Sequence, residues 1–229
     1  FAKGNHGADF LIKDMHRLTL IMKKNYPDLP YVLIGHSMGS YMSRKYASIY
    51  GDELDGVIFL GTGNQPKAVV DSGLKLAHIA KLVRGERYRS ELLNTIMFGA
   101  YNKRIKDNRT ANDWLTKDTK IVDEYLSDPK CSYKFTANAY IGFLNVIKYD
   151  IDKKNIAKTP DKLPVLFASG LEDPVGDYGK GVKKAFKMYT KYVDNVELYL
   201  YEDDRHELHS ETDREDIFSD LYEWIEENV

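Results

Sequence analysis

The chain has 229 residues, of which 43% are hydrophobic and 30% charged, with a formal net charge of −2. Lys and Arg are balanced by Asp and Glu, so the composition gives no reason to expect a nucleic-acid partner. The single cysteine, Cys131, excludes an internal disulfide and suits a reducing compartment, so we expect a cytoplasmic protein. No apolar run approaches the ~20 residues of a membrane-spanning helix.

The apolar pattern along the chain predicts alternating helices and strands. An amphipathic helix over 8–24 precedes the first strand, and further helices are expected over 41–50, over 180–192 and at the C-terminus. Short apolar runs bounded by turn residues predict four strands: 31–34, 56–61, 163–169 and 195–201. Strands that alternate with helices indicate an α/β fold with a mostly parallel sheet flanked by helices.

A long stretch, residues 64–162, separates the second predicted strand from the third and has the pattern of a series of helices. A crossover between two parallel strands needs far fewer residues. We therefore predict three parts: a first core segment over 1–63, a helical lid over 64–162 and a second core segment over 163–229.

The segment Gly35-His36-Ser37-Met38-Gly39 lies between the first strand and the helix that follows it. This G-x-S-x-G pattern at a sharp strand-to-helix turn is typical of a nucleophilic serine held clear of the sheet edge. We expect both glycines to be required, because so tight a turn leaves no room for flanking side chains. The N–H of Met38 opens the helix and would stabilise negative charge that develops on a substrate.

A serine nucleophile requires a base, and the base requires a carboxylate that orients it. In folds with this turn, the acid follows the serine in the chain and the histidine comes last. Asp173 follows the third predicted strand and His206 follows the fourth, which makes them the preferred acid and base. Asp177 is an alternative acid and His209 an alternative base. The spacing of the two histidines does not match the helical two-histidine zinc pattern, so we predict no metal site.

Together these stretches resemble the serine hydrolases grouped with monoacylglycerol lipases and lysophospholipases, a domain also described as serine aminopeptidase-like. The resemblance covers essentially the whole chain and rests on three stretches: 33–40, 170–174 and 201–207. It implies the α/β-hydrolase fold, with Ser37 as nucleophile, Asp173 as acid, His206 as base and Met38 as an oxyanion donor. The stretch 113–115 also resembles lid segments of bacterial members.

The resemblance also implies a longer protein. In this family the nucleophile follows the fifth strand of the sheet, whereas one helix and one strand precede Ser37 in this chain. The difference corresponds to roughly 70–90 residues at ordinary strand and loop lengths. We therefore expect four N-terminal strands to be missing from this chain, and with them the segment that carries the second oxyanion donor.

Apolar residues within 64–162 are candidates for substrate contact. The stretch 135–147 carries no charge, and Met97 and Phe98 form a second apolar patch. We assign Met97, Phe98, Tyr140 and Phe143 to substrate binding, together with His36 of the turn; the alternative is that the apolar residues form the internal core of the lid. Basic residues around 103–109 are consistent either with a solvated face or with a transient contact between the lid and a membrane surface.

These features predict a serine carboxylic ester hydrolase that acts through an acyl-enzyme, with no metal or organic cofactor. The expected partner is a small-molecule lipid or ester, such as a monoacylglycerol, a lysophospholipid or a small ester, and no feature requires an oligomer. Two alternatives stay open: cleavage of a thioester or an amide by the same residues, and a non-catalytic protein that uses this fold to bind lipid.

Overall fold

The computed structural model describes residues 7–106, 108–131 and 133–229. Within this part of the chain a four-stranded parallel sheet has the order β1-β2-β3-β4, so each strand pairs with the next one in the chain. The strands are β1 Val32–His36, β2 Gly56–Leu60, β3 Val165–Gly170 and β4 Val196–Tyr201. The prediction of a parallel sheet flanked by helices is confirmed, with strand ends shifted by one or two residues.

The helices occupy both faces of the sheet and the long connection between β2 and β3. They are α1 Gly7–Asn25, α2 Met38–Tyr50, α3 Lys67–Arg84, α4 Glu91–Phe98, α5 Thr119–Ser127, α6 Ala137–Asp150, α7 Lys153–Ile156, α8 Lys180–Tyr189 and α9 Arg214–Asn228. Short 3₁₀ turns cover Gly51–Glu53, Tyr101–Arg104 and Leu208–Ser210. Across the described ranges, no helix is both long and apolar enough to span a bilayer.

The sheet separates two apolar cores. Side chains of β2 and β3 are buried along their whole length, as expected for central strands covered on both faces. Phe59 and Phe167 face α1, α2 and α8, whereas Ile58 and Leu166 face α9 with its buried Trp224. Strand β4 is half-buried along its whole length: Val196 and Leu198 pack on the first of these cores, and Tyr199 and Tyr201 pack on the core that contains Trp224. The carboxyl ends of all four strands therefore meet at one edge.

Helices α3 to α7 form the connection between β2 and β3, which we call the insertion (residues 64–162). Helix α6 is its centre, because most of its residues are buried and it packs against α3, α2 and α1. The helical character of this stretch agrees with the sequence pattern. Since α6 packs on helices inside and outside the insertion, the division into three domains stays a prediction.

A buried cation ties the insertion to α2. Arg44 is 1% exposed, and its guanidinium donates hydrogen bonds to the main-chain oxygens of Gly63 at 2.8 Å and Asp150 at 3.0 Å. Burial raises the pKa of the Asp150 carboxyl to about 8, against the opposing charges of Arg44 and Lys45. Arg44 thereby fixes the end of α6 and the loop after β2 relative to the helix that follows Ser37.

Candidate active site

Ser37 occupies a strained turn between β1 and α2. Its backbone has φ 54° and ψ −121°, a conformation that costs free energy for a residue with a side chain. The turn is held by the Ser37 N–H, which donates to Leu60 O at 3.0 Å, and by the Ser40 hydroxyl, which donates to Ser37 O at 2.6 Å. The serine side chain consequently stands at the carboxyl edge of the sheet, as the sequence pattern predicts.

The two glycines of the turn, Gly35 and Gly39, have different surroundings. A Cβ at Gly35 would lie 2.3 Å from Ser43 Oγ and 2.6 Å from Gly39 O, so that position cannot accept a side chain without a shift of α2. A Cβ at Gly39 would meet no described atom within 4 Å. The prediction that both glycines are sterically required is therefore confirmed for Gly35, whereas no described residue imposes that requirement on Gly39.

The structure brings Ser37, Asp173 and His206 together from the ends of three different strands. His206 Nε2 lies 2.8 Å from Ser37 Oγ, and His206 Nδ1 lies 3.1 Å from Asp173 Oδ2. Asp173 and His206 are 0% and 1% exposed, and the Val175 N–H donates to Asp173 Oδ1 at 2.8 Å. An ionised carboxylate only accepts hydrogen bonds, so Nδ1 carries the proton and Nε2 accepts one from the serine hydroxyl.

Two glycines at strand ends clear space for the loop that carries His206. Gly61 has φ +56°, and a Cβ there would lie 3.0 Å from His206 Nδ1. A Cβ at Gly170 would lie 2.0 Å from Asp204 O. Because neither glycine has a side chain, the loop can pack close to the sheet edge and place His206 between Ser37 and Asp173.

The alternative acid and base lie elsewhere. Asp177 is exposed, and its backbone has φ 50° in the loop before α8. His209 is exposed, and its ring packs edge-on against His36 with centroids 4.7 Å apart. His206 rather than His209 thus contacts Ser37, and Asp173 rather than Asp177 contacts His206.

His36 uses its ring to bind the main chain of its neighbour. Its Nε2 donates to His206 O at 3.2 Å, and the ring shares the α9 side of the sheet with Ile34 and Leu60. Burial, followed by the charges of His206 and His209, lowers the pKa of His36 to about 3, so the ring is neutral. The structure thus supports a role in holding the His206 loop, while the assignment of His36 to substrate binding stays a prediction.

The four apolar residues assigned to substrate binding take part in helix packing, either within the insertion or between the insertion and α2. Tyr140 is 1% exposed and its hydroxyl donates to Asn94 Oδ1 at 3.3 Å, while Phe143 packs edge-on against Tyr41. Met97 and Phe98 are half-buried on α4 and contact the larger core. This arrangement agrees with the alternative of a lid core, and a contact with substrate stays a prediction for all four.

Two aromatic rings near His206, those of Trp114 and Tyr101, were not predicted as part of the site; they form a row with Phe98, which was assigned to substrate binding. The Trp114 ring lies 5.0 Å from the His206 ring, Tyr101 lies 4.8 Å from Trp114, and Phe98 lies 5.6 Å from Tyr101. Burial and the nearby Asp173 carboxylate raise the pKa of Tyr101, so its hydroxyl stays protonated. The resemblance of 113–115 to lid segments was a signal for Trp114, but nothing in the sequence placed that ring against the base.

The serine turn also contains a main-chain hydrogen-bond donor, the N–H of Met38. Met38 is the first residue of α2, and the first N–H groups of a helix have no partner within the helix. Positive charge from the helix dipole concentrates at this end. The predicted oxyanion donor therefore lies directly beside Ser37 in the chain, with a main-chain position suited to binding an anion.

A serine on a strand–turn–helix, paired with a histidine and an aspartate at the carboxyl edge of a parallel sheet, defines the site of an α/β-hydrolase. Solved structures share this architecture. A thermostable carboxyl esterase from Bacillus coagulans is 28% identical and superposes with a TM-score of 0.89, covering 99% of this chain and 73% of the esterase. A monoglyceride lipase from Saccharomyces cerevisiae is 20% identical with a TM-score of 0.71, covering 100% of this chain and 71% of the lipase.

Sequence comparison agrees with the structural likeness. The family model described as serine aminopeptidase, S33, matches residues 4–213, and the chain belongs to this family of hydrolases. A monoglyceride lipase homolog from Monkeypox virus is 21% identical over 216 residues, which are 93% of this chain and 69% of the viral protein. The predicted α/β-hydrolase fold and the predicted family are confirmed.

Proposed function

We propose that this protein is a serine carboxylic ester hydrolase that works through an acyl-enzyme intermediate. The observation that carries the proposal is the pair of contacts of His206, with Nε2 2.8 Å from Ser37 Oγ and Nδ1 3.1 Å from Asp173 Oδ2. A base within hydrogen-bond reach of both its nucleophile and its orienting carboxylate is what acyl transfer by serine requires.

The geometry supports the following reaction sequence. His206 takes the hydroxyl proton as Ser37 attacks the ester carbonyl, and the Met38 N–H stabilises the oxyanion. His206 then gives the proton to the leaving alcohol as the carbon–oxygen bond breaks, which leaves an acyl group on Ser37. Water enters, and His206 takes a proton from it as the water oxygen attacks the acyl carbonyl. His206 then returns that proton to Ser37 Oγ as the bond between Oγ and the acyl carbon breaks, which releases the carboxylic acid and regenerates the serine. Asp173 holds the imidazole tautomer and stabilises its positive charge throughout.

The surroundings of the site favour an apolar acyl group. Trp114, Tyr101 and Phe98 form a continuous aromatic row that starts beside His206 and ends on α4. An apolar wall next to a few polar catalytic atoms is the usual composition of a small-molecule site. A monoacylglycerol, a lysophospholipid or a small ester fits this chemistry, with the insertion acting as a lid over the acyl chain.

Hydrolysis of p-nitrophenyl esters with acyl groups of two to sixteen carbons tests the proposal. We expect turnover that is lost in Ser37→Ala, by on the order of 10⁵-fold or more in kcat, because the nucleophile is removed. Ser43→Ala is the matched control, since Ser43 lies nearly two turns further along α2 and is buried.

Three other outcomes would contradict the proposal in different ways. Equal turnover by Ser37→Ala and the parent protein would show that Ser37 is not the nucleophile. Cleavage restricted to thioester or amide analogues would move the activity to those substrate classes. Saturable lipid binding by a folded protein, without release of product from any ester, would favour a binding protein.

We further propose that the outer face of α3 and α4 makes transient contact with an anionic lipid surface. Exposed apolar side chains cluster there, with Leu82 86% and Val83 70% exposed. Other exposed apolar residues on these helices are Val69, Ile79, Leu92 and Ile96, and exposed basic residues nearby are Lys75, Arg84, Arg87 and Arg89. Apolar side chains flanked by basic ones suit the interface of a membrane that carries negative lipids.

Cosedimentation with phosphatidylcholine vesicles, with and without phosphatidylglycerol, tests this contact. We expect binding that requires the anionic lipid, weakens at high salt because of screening, and falls about tenfold in the double variant Leu82→Ser, Val83→Ser. The matched control is Tyr222→Ser, which removes a 61% exposed apolar side chain from α9. Equal binding by the double variant and the parent protein would contradict the proposal.

A further inference from the structure

Part of the insertion runs beside the loop that carries His206. We call residues 113–117 the return segment and residues 204–211 the base loop. The Glu207 N–H donates to Leu115 O at 2.7 Å, and the His206 N–H donates to Trp114 O at 3.4 Å. Arg205 Nη1 donates to the main-chain oxygens of the return segment at both ends, at 2.8 and 3.1 Å. The return segment is therefore joined to the base by its main chain.

Glu211 lies where these two stretches are joined. It is 0% exposed, and both of its carboxylate oxygens are used. Oε1 accepts the Arg205 N–H at 2.7 Å, while Oε2 accepts the Lys117 N–H at 2.9 Å and faces the Thr116 hydroxyl at 2.9 Å. A single carboxylate thus bridges the residue directly before His206 to the end of the return segment.

Burying a carboxylate in a loop is energetically unfavourable unless hydrogen bonds or opposite charges compensate for the lost hydration. Burial raises the pKa of Glu211, while hydrogen bonds from the Arg205 and Lys117 N–H groups oppose that shift. Bonds between a carboxylate and main-chain N–H groups are shorter and stronger than neutral ones. A second ionic contact lies alongside, because Lys117 Nζ is 2.5 Å from Asp204 Oδ1, whose side chain is 2% exposed. The charged groups of Glu211, Lys117 and Asp204 therefore lie together where the return segment meets the base loop.

We propose that Glu211 is a positioning residue for His206. It clamps the main chain of Arg205 to that of Lys117, and so fixes the height of the imidazole above Ser37 and keeps Trp114 packed against it. This inference rests on the proposed esterase function. It also implies that the return segment is a fixed wall of the site, while any opening of the insertion occurs in other parts of it.

The clamp acts on distances to which acyl transfer is sensitive. Arg205 is adjacent to His206 in the chain, so a shift of its N–H moves the ring relative to Ser37 and Asp173 together. A misplacement of ~1 Å at the reacting groups can cost about a hundredfold in rate. Substrate binding depends on other surfaces of the site, so loss of the clamp should reduce kcat and leave KM nearly constant.

The variant Glu211→Gln tests the clamp in the full chain, with kcat and KM measured on the best p-nitrophenyl ester. The amide keeps one acceptor oxygen but turns an NH₂ group towards either the Arg205 or the Lys117 N–H, which leaves two donors facing each other. We expect kcat to fall about tenfold to a hundredfold with KM changed less than about threefold. Glu211→Asp retains the charge but is one methylene shorter, so we expect it to recover part of the lost kcat.

Asp55→Asn is the matched control for stability. The Asp55 carboxylate also accepts a main-chain N–H, that of Tyr31 at 2.7 Å, and it lies just before β2 at the amino edge of the sheet, away from the return segment and the base loop. We expect it to lower the melting temperature while kcat stays within about threefold of the parent value. If Glu211→Gln does not fold, Thr116→Val keeps the carboxylate and removes the hydroxyl that lies 2.9 Å from both Glu211 Oε2 and Ser210 O and accepts the Asp118 N–H, and kcat should then fall about threefold to tenfold.

The outcomes separate this inference from the function on which it rests. Loss of kcat in Glu211→Gln, with a normal KM and a folded protein, supports the clamp. Unchanged kcat in Glu211→Gln, or an equal loss in Asp55→Asn, would overturn the clamp while Ser37-dependent turnover stands. Absence of Ser37-dependent turnover in the parent protein would overturn the proposed function and the clamp together.

Discussion

Replacement of His206 by glutamine should reduce kcat by about five to six orders of magnitude, because His206 is the only side chain of the described residues within hydrogen-bond reach of Ser37 Oγ. His206 Nε2 is 2.8 Å from Ser37 Oγ in a site where the imidazole is 1% exposed. Glutamine is similar in length but cannot accept and release a proton at neutral pH. Steady-state kinetics on the best p-nitrophenyl ester measure the loss, with circular dichroism to verify the fold.

His209→Gln provides the control for this result. His209 lies three residues further along, and its exposed ring packs against His36. We expect its kcat to stay within about twofold of the parent value, as for most surface substitutions. A large loss in His209→Gln together with a small one in His206→Gln would reverse the assignment of the base.

Asp173→Asn should lower kcat by on the order of 10⁴-fold, because the wrong tautomer of the histidine becomes favoured. The Asp173 carboxylate accepts the proton of His206 Nδ1 at 3.1 Å. An asparagine amide in this position can donate to Nδ1 instead, which places the ring proton on Nε2 and removes the acceptor for the Ser37 hydroxyl. We expect KM to change little, since the carboxylate is 0% exposed and does not face substrate.

Asp177→Asn is the matched control for the acid. It makes the same chemical change four residues later, on an exposed loop with φ 50°. Its kcat should be nearly that of the parent protein. The kcat of Asp173→Asn should be lower than that of Asp177→Asn by a similar factor on every ester that the parent protein hydrolyses. Equal kcat in Asp173→Asn and in the parent protein would show that another group orients His206.

The parallel sheet could be predicted because its strands are apolar over their whole length. Strands β2 and β3 are buried on both faces, so their runs of Val, Ile, Leu and Phe differ sharply from the surrounding polar sequence. The three site residues could be predicted for a related reason. Parallel strands end at one edge, so polar residues that follow β1, β3 and β4 must come together there.

The supporting contacts of the site could not be predicted in the same way. Trp114 packs on His206, and Glu211 binds the Lys117 N–H, only because the insertion packs on the base loop, and neither residue belongs to a periodic pattern or a spacing rule. Their positions depend on how residues far apart in the chain meet. His36 is a similar case, since its sequence position beside Ser37 does not reveal that its ring turns towards the His206 carbonyl group.

The described residues show a steric requirement at Gly35 and none at Gly39, although the motif predicts the same requirement for both. Gly35 faces Ser43 and the main chain of α2 at distances that exclude a side chain. Gly39, on the other side of the serine, points into open space among the described residues. A sequence pattern therefore indicates a turn without showing which of its residues is constrained by sterics.

Covalent labelling with a fluorophosphonate tests the role of Ser37 most directly. The parent protein and Ser37→Ala would be treated with the reagent, analysed by intact mass and then digested to locate the label. We expect one adduct per chain on the peptide that contains Ser37, and none in Ser37→Ala. Labelling at another residue, or equal labelling of the two proteins, would contradict the assignment of Ser37 as the nucleophile.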